Sequence, residues 1–258
     1  MTSTPIPVVF YGHGSPMNAL GGPHAQAWRD LGASLPRPKA ILMISAHWET
    51  EGTPAVTAME RPRTIHDFGG FPQALFDMRY PAPGSPALAE RVRAFVGAAE
   101  DHEWGLDHGT WSVLVHSYPD ADIPVVQLSL DRELTPRQHY DLAKKLNPLR
   151  DEGVLIAASG DIVHNLRAMR RDGSAEPFDW AVRFDADIAA ALEAGDHDAL
   201  IDWARYGDDA KLSVPTDEHY LPLLYIAAQQ RPGDSVRLFN QAIDLGSVSM
   251  TGVVIGEA

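Results

Sequence analysis

Residues 6–14, Ile-Pro-Val-Val-Phe-Tyr-Gly-His-Gly, hold an apolar run that stops abruptly at Gly12-His13-Gly14. The pattern returns at 40–48, where Ala-Ile-Leu-Met-Ile-Ser is followed by Ala46-His47-Trp48. It returns again at 123–130 (IPVVQLSL) and at 154–159 (VLIAAS), the latter ending at Gly160-Asp161. Runs that are continuously apolar, with no alternation, suit strands buried on both faces of a parallel sheet. Helical patterns lie between them. Residues 86–99 follow Ser85 with proline in the first turn, residues 135–150 repeat that logic with Thr135-Pro136, and residues 180–194 form an alanine-rich amphipathic stretch. A last strand is expected at 248–255. Strands alternating with helices predict an α/β fold, one domain over 1–258, with a mostly parallel central sheet and helices on both faces.

Composition narrows the function. The chain has 258 residues, 45% hydrophobic and 22% charged, which excludes a disordered or collagen-like protein. A net charge of −14 argues against nucleic acid as a partner, since phosphate binding needs a basic face. No stretch approaches the roughly 20 apolar residues of a membrane span, and residues 1–16 lack the basic start and long apolar core of a secretory leader. A cytoplasmic protein without a membrane partner, a monomer or small homo-oligomer, is expected. Cysteine is absent, so any metal site must use His, Asp or Glu.

Eleven histidines are present, several beside Gly, Ser or Asp. His13 and His47 each follow a strand-like run, and in open α/β sheets ligands bind beyond the carboxyl ends of the strands. Glycines flanking His13 permit a sharp turn and leave room for a ligand. His164 comes soon after the fourth strand run, where the spacing predicts the first turn of a helix. His219 precedes the apolar run 221–228, with Thr216 as a prospective cap. His108 and His66, each flanked by Asp and Gly, fit oriented imidazoles behind a metal or against a substrate. His24, His102, His116, His139 and His197 have no such setting and are expected on the surface or on helices. Residues 52–86, rich in Pro, Gly and aromatics, read as a binding loop or lid. Asp67, Arg63 and Arg79 within it are candidates for recognising a substrate tail. There is no H-E-x-x-H, P-loop or G-x-G-x-x-G, and Gly12-His13-Gly14-Ser15-Pro16 is not a nucleophile elbow.

Taken together, GHGSPM, ISAHWET, TIHDFGGFP, YPAPGSP, DHGTW, SGDIVHNL and TDEHYLPLLY resemble the class III extradiol ring-cleavage dioxygenases, in the DOPA 4,5-dioxygenase-like branch. The resemblance runs in order over nearly the whole chain. It implies a phosphorylase/hydrolase-like α/β domain that opens the ring of a catechol with O2. It further implies one mononuclear divalent metal, Fe(II) for oxygenase activity with Zn(II) as the ion expected on purification. His13, His47 and His219 would be ligands, and His164 an acid/base within coordinating distance of a resting site. His108 would stand near the oxygen site, with His66, Asp67 and Trp48 as substrate contacts. Two rival readings use the same histidines. One is a zinc hydrolase with Glu218 or His164 as base and Trp48, Trp111 and Phe68 as pocket walls. The other is a non-catalytic metal-binding protein with a closed ligand shell.

Overall fold

In a computed structural model, which describes residues 5–171 and 176–257, the expected strands and helices alternate around one sheet. The strands are β1 (Val8–Gly12), β2 (Ala40–Thr50), β3 (Ala55–Thr57), β4 (Ala99–Asp101), β5 (Val125–Asp131), β6 (Val154–Gly160), β7 (Val236–Phe239), β8 (Ile243–Asp244), β9 (Val248–Ser249) and β10 (Gly252–Ile255). The helices are α1 (Ala25–Ser34), α2 (Gln73–Phe76), α3 (Pro86–Val96), α4 (His108–Ser117), α5 (Pro136–Lys144), α6 (Asp179–Ala194), α7 (His197–Ile201), α8 (Gly207–Ser213) and α9 (Leu221–Ala227).

Eight strands form one sheet in the order β4-β3-β5-β2-β6-β1-β10-β7, and β8 pairs with β9 apart from it. The four central strands β5, β2, β6 and β1 are parallel, whereas β10 runs antiparallel to both β1 and β7. Side-chain alternation divides the core. Val8, Phe10, Leu42, Ile44 and Ile156 pack on one face with α3, α5, α6 and α9. Val9, Tyr11, Ile41, Met43 and Leu155 pack on the other with α1 and α4. Burial on both faces explains why these strands read as unbroken apolar runs.

Helix ends follow local chemistry. Ser85 Oγ accepts from Leu88 N–H, Thr135 and Gln138 form a reciprocal capping box, and Asp107 caps α4 by accepting from Thr110 N–H. The stretch expected to be helical over 135–150 is divided, α5 ending at Lys144 before a 3-10 turn at Asn147–Arg150. The run 86–99 is divided likewise, because Gly97 takes a left-handed conformation and its N–H closes on Arg93 O before β4 begins. The last strand breaks into β9 and β10 around Met250 and Thr251.

Three local expectations are corrected. His47 does not follow its strand but lies within it: β2 leaves β6 after Ser45 and continues beside β5, with a register shift between Ile44 and Glu49. His164 is not helical. Its N–H donates to Ser213 O at 2.8 Å and it bridges Val248, so tertiary partners take the bonds that a helix would need. Thr216 caps no helix; its hydroxyl donates to Glu218 Oε1 at 3.1 Å, and α9 starts later, with Pro222 in its first turn. Of the histidines set aside, His24, His116 and His139 are buried. They are held by Asp244, by Asn18 O and by the Tyr225 hydroxyl respectively.

Gly12 and Gly160 sit opposite each other at the carboxyl ends of β1 and β6. A methyl on Gly12 would strike the Met250 backbone, and one on Gly160 would strike the His219 carbonyl. The two bare α-carbons thus let distant chain segments cross the sheet's end at close range, which carries His219 towards His13. Gly160→Ala is expected to destabilise the fold by about 1–3 kcal/mol, because the obstacle is backbone and cannot rotate away. Urea unfolding measures the loss, and an unchanged midpoint would show that this crossing tolerates more space than the structure provides.

Candidate metal centre

Five histidines from five stretches of chain meet at the carboxyl end of the central strands. His13 follows β1, His47 lies in the irregular part of β2, His108 opens α4, His164 follows β6 and His219 precedes α9. The His13 ring lies 5.0 Å from that of His47 and 5.4 Å from that of His219, while His47 and His219 are 4.9 Å apart, centroid to centroid. His13 Nε2 and His47 Nε2 approach to 3.1 Å. That is close to the spacing of two nitrogens bound at right angles to one ion through bonds of about 2.1 Å. Liganding atoms cluster in two neighbouring sets that share His13: one with His47 and His108, the other with Asp161 and His219. A third set joins His164, Glu218 and His219. His164 stacks on His219 at 3.5 Å with an interplanar angle of 10°.

The opposite ring nitrogens are held by oxygens. Ser159 Oγ lies 2.9 Å from His13 Nδ1, Glu218 Oε1 3.0 Å from His219 Nδ1, and Asp67 Oδ2 3.5 Å from His47 Nδ1. With protons on Nδ1, the Nε2 lone pairs of His13 and His47 point at each other across the site, a repulsive arrangement that a shared cation relieves. Asp67 also receives the His108 backbone N–H at 2.9 Å and lies 2.8 Å from His108 Nδ1. Burial and neighbouring imidazoles hold His13 and His219 well below the ordinary histidine range. Burial likewise pushes His47 down to about 3 and His164 to about 4. These rings are therefore neutral donors at physiological pH, as metal ligation requires. Asp161, raised well above the carboxylate range by burial, has a buried Oδ2 without a hydrogen-bond partner among the described residues, 3.8 Å from His13 Nε2. The donor set thus fits a divalent metal.

A cavity of about 480 Å³ opens beside these rings, within the size range of small-molecule sites. Phe68 and Phe71, from the segment expected to act as a binding loop, form one wall, and Leu166, Met169, Leu245 and Val248 form much of the rest. Other candidates stand back from it. Asp67 braces His47 and His108 from behind, and Trp48 stacks on Trp104 at 5.5 Å. His66 packs against Trp111, with Met78 O 3.1 Å from its Nε2. None of Arg63, Arg79, Trp48, His66 and Asp67 lines the cavity. Ser159 and Asp161 escaped the sequence reading as site residues, although both flank the glycine that ends the fourth strand run. Leu166, Met169, Asp244 and Leu245 carried no local signal, since only tertiary folding brings them to the rim.

Asp67→Asn is expected to lower metal affinity or activity by about 10–100-fold, because an amide holds the His47 and His108 rings less firmly. Metal titration of the purified variant checks this, and wild-type affinity would show that the carboxylate does not orient the ligands.

Comparison with known proteins agrees with this geometry. The family described as "Catalytic LigB subunit of aromatic ring-opening dioxygenase" matches residues 8–228. A 4,5-DOPA dioxygenase extradiol of Escherichia coli (strain K12) is 47% identical, over 99% of this chain and 97% of its own length. The 4,5-DOPA dioxygenase extradiol of Beta vulgaris is 38% identical, over 93% of this chain and 92% of its own. A crystal structure of an uncharacterized protein from Escherichia coli K12 superposes with a TM-score of 0.85 at 40% identity, over 97% of this chain and 100% of that one.

Proposed function

The chain belongs to the family of catalytic LigB subunits of aromatic ring-opening dioxygenases and is a metal-dependent extradiol dioxygenase, and from that membership we propose its ion, its substrate and the roles of its residues. The ion is Fe(II), held by His13, His47 and His219. The substrate is a small catechol of the DOPA type, cleaved with O2 so that both oxygen atoms enter the product. The observation that carries this reading is the convergence of five imidazoles on one end of a largely apolar cavity. When bound, Fe(II) supplies the one-electron chemistry by which a spin-paired diol can react with O2.

The protein's own groups do the rest. Phe68, Phe71 and Leu166 flank the ring plane and displace water from it. His164 enters as a neutral base, so it can accept the proton of one catechol hydroxyl at its free ring nitrogen and return it later in ring opening. Stacking on His219 fixes the plane in which that transfer occurs. His108, clamped by Asp67 through both ring and backbone nitrogens, presents its remaining ring nitrogen towards His13 and His47. Glu218, the other base of the hydrolase reading, accepts the Thr216 hydroxyl and lies 3.0 Å from His219 Nδ1 through the same oxygen.

The test is anaerobic reconstitution with Fe(II), followed by O2 uptake with a catechol, with the Zn(II)-loaded protein in parallel. Zinc competes well for imidazole sites but has no redox chemistry. Uptake is expected only with iron; background uptake, with zinc supporting ester or amide hydrolysis, would overturn the proposal.

A further inference from the structure

Arg63 and Arg79, expected from the sequence to recognise a substrate tail, are committed elsewhere. Arg63 donates to Trp104 O at 2.9 Å, and Arg79 donates to Phe76 O and Met78 O at 2.7 Å each. Arg170 lies over the Phe178 ring at 4.3 Å. Arg167 has a different setting. It is exposed, its guanidinium has no hydrogen bond or ion pair among the described residues, and it lines a second cavity of about 230 Å³. His164 and Leu166 line both this annex and the main cavity, so the two adjoin at the residue assigned to proton transfer. The backbone there is fixed. Asn165 Oδ1 accepts the N–H groups of Arg167 at 3.1 Å and Ala168 at 3.0 Å, and Asn165 Nδ2 donates to Leu212 O at 2.7 Å. Glu218 lines the annex as well. Its Oε1 receives the Thr216 hydroxyl and faces His219 Nδ1, while its second oxygen has no partner among the described residues. The annex thus offers one cation and one anion, the complement of a zwitterion. In the main cavity the wall carries the Asp244 carboxylate, held by His24 Nε2 at 3.0 Å, which disfavours an acidic tail on that side.

We propose that this annex is the side-chain subsite of the enzyme. With the ring at the metal end, the tail passes Leu166, its carboxylate meets the Arg167 guanidinium and its ammonium meets the second oxygen of Glu218. Arg167 is then the residue that selects an amino-acid tail over a plain amine. This rests on the dioxygenase reading and deepens it by assigning the residues that read the tail. A guanidinium fork suits a carboxylate, and its partner-free state leaves no ion pair to be broken when substrate arrives. Arg167 is solvated, so the discrimination it supplies is moderate, about fivefold for one added carboxylate.

The experiment titrates the Zn(II)-loaded protein, which does not turn over, by calorimetry. L-DOPA and dopamine differ by one carboxylate, and L-DOPA is expected to bind about fivefold tighter. Arg167→Gln should bring that ratio to about one, and Arg167→Glu should invert it. Both substitutions fall at an exposed position, away from the core. L-DOPA and 3-(3,4-dihydroxyphenyl)propionate differ by the ammonium alone, and their ratio, again about fivefold, should survive Arg167→Gln. Equal binding of L-DOPA and dopamine by the wild type, or a preference that persists in both variants, overturns the assignment of Arg167. A ratio of L-DOPA to the propionate near one overturns that of Glu218. Turnover of 4-ethylcatechol by the Fe(II)-loaded enzyme reports separately on the dioxygenase reading. Turnover with L-DOPA and dopamine bound equally sinks the subsite alone, and no turnover of any catechol sinks both.

Discussion

His13→Ala is expected to leave a folded protein that no longer retains metal through gel filtration and takes up O2 with a catechol only at background. His13 belongs to both clusters of liganding atoms that meet at the site, so its loss removes the nitrogen they share. The effect should exceed the roughly 10–100-fold that follows loss of an outer partner such as Asp67. It also leaves the Ser159 hydroxyl and Asp161 facing an empty space where the imidazole stood. Metal content by mass spectrometry, with circular dichroism as the folding control, decides the matter. A variant that keeps one ion per chain would remove His13 from the ligand set.

His164→Gln should behave differently. Glutamine keeps a polar side chain of similar length but cannot carry a proton between hydroxyl and product, so kcat should fall by about 10²–10⁴-fold while metal content stays at wild type. The two substitutions therefore separate holding the ion from moving the proton. Parallel loss of metal in the glutamine variant would make His164 a ligand and not an acid/base, as its membership of the Glu218 and His219 cluster allows geometrically.

The central sheet was legible because strands buried on both faces cannot alternate polar with apolar residues, and β1, β2, β5 and β6 show that plainly. The histidines were legible because each stood where such a run stops or where a glycine or acid flanks it. What escaped has a common cause. The continuation of β2 past Ser45 depends on β5, not on its own sequence. The non-helical path through His164 depends on Ser213 and Val248, and the position of Asp67 depends on His108 meeting it from another segment. Asp244 was invisible for the same reason: nothing near residue 244 announces a cavity until the β8–β9 hairpin folds over the strand ends.

The position of β10 has a consequence for biosynthesis. β1 leaves the ribosome well before β10, yet β10 is one of its two neighbours in the sheet. Until β10 has been made, Val8–Gly12 has one flank without cover, and the loop bearing His13 lacks the Met250 segment that packs over Gly12 and Gly14. This part of the domain thus cannot close until β10 has been made, and until then its open flank is available for association with other chains. Loss of β10 would then do more than fray a border, because it would loosen the ground on which the first imidazole stands.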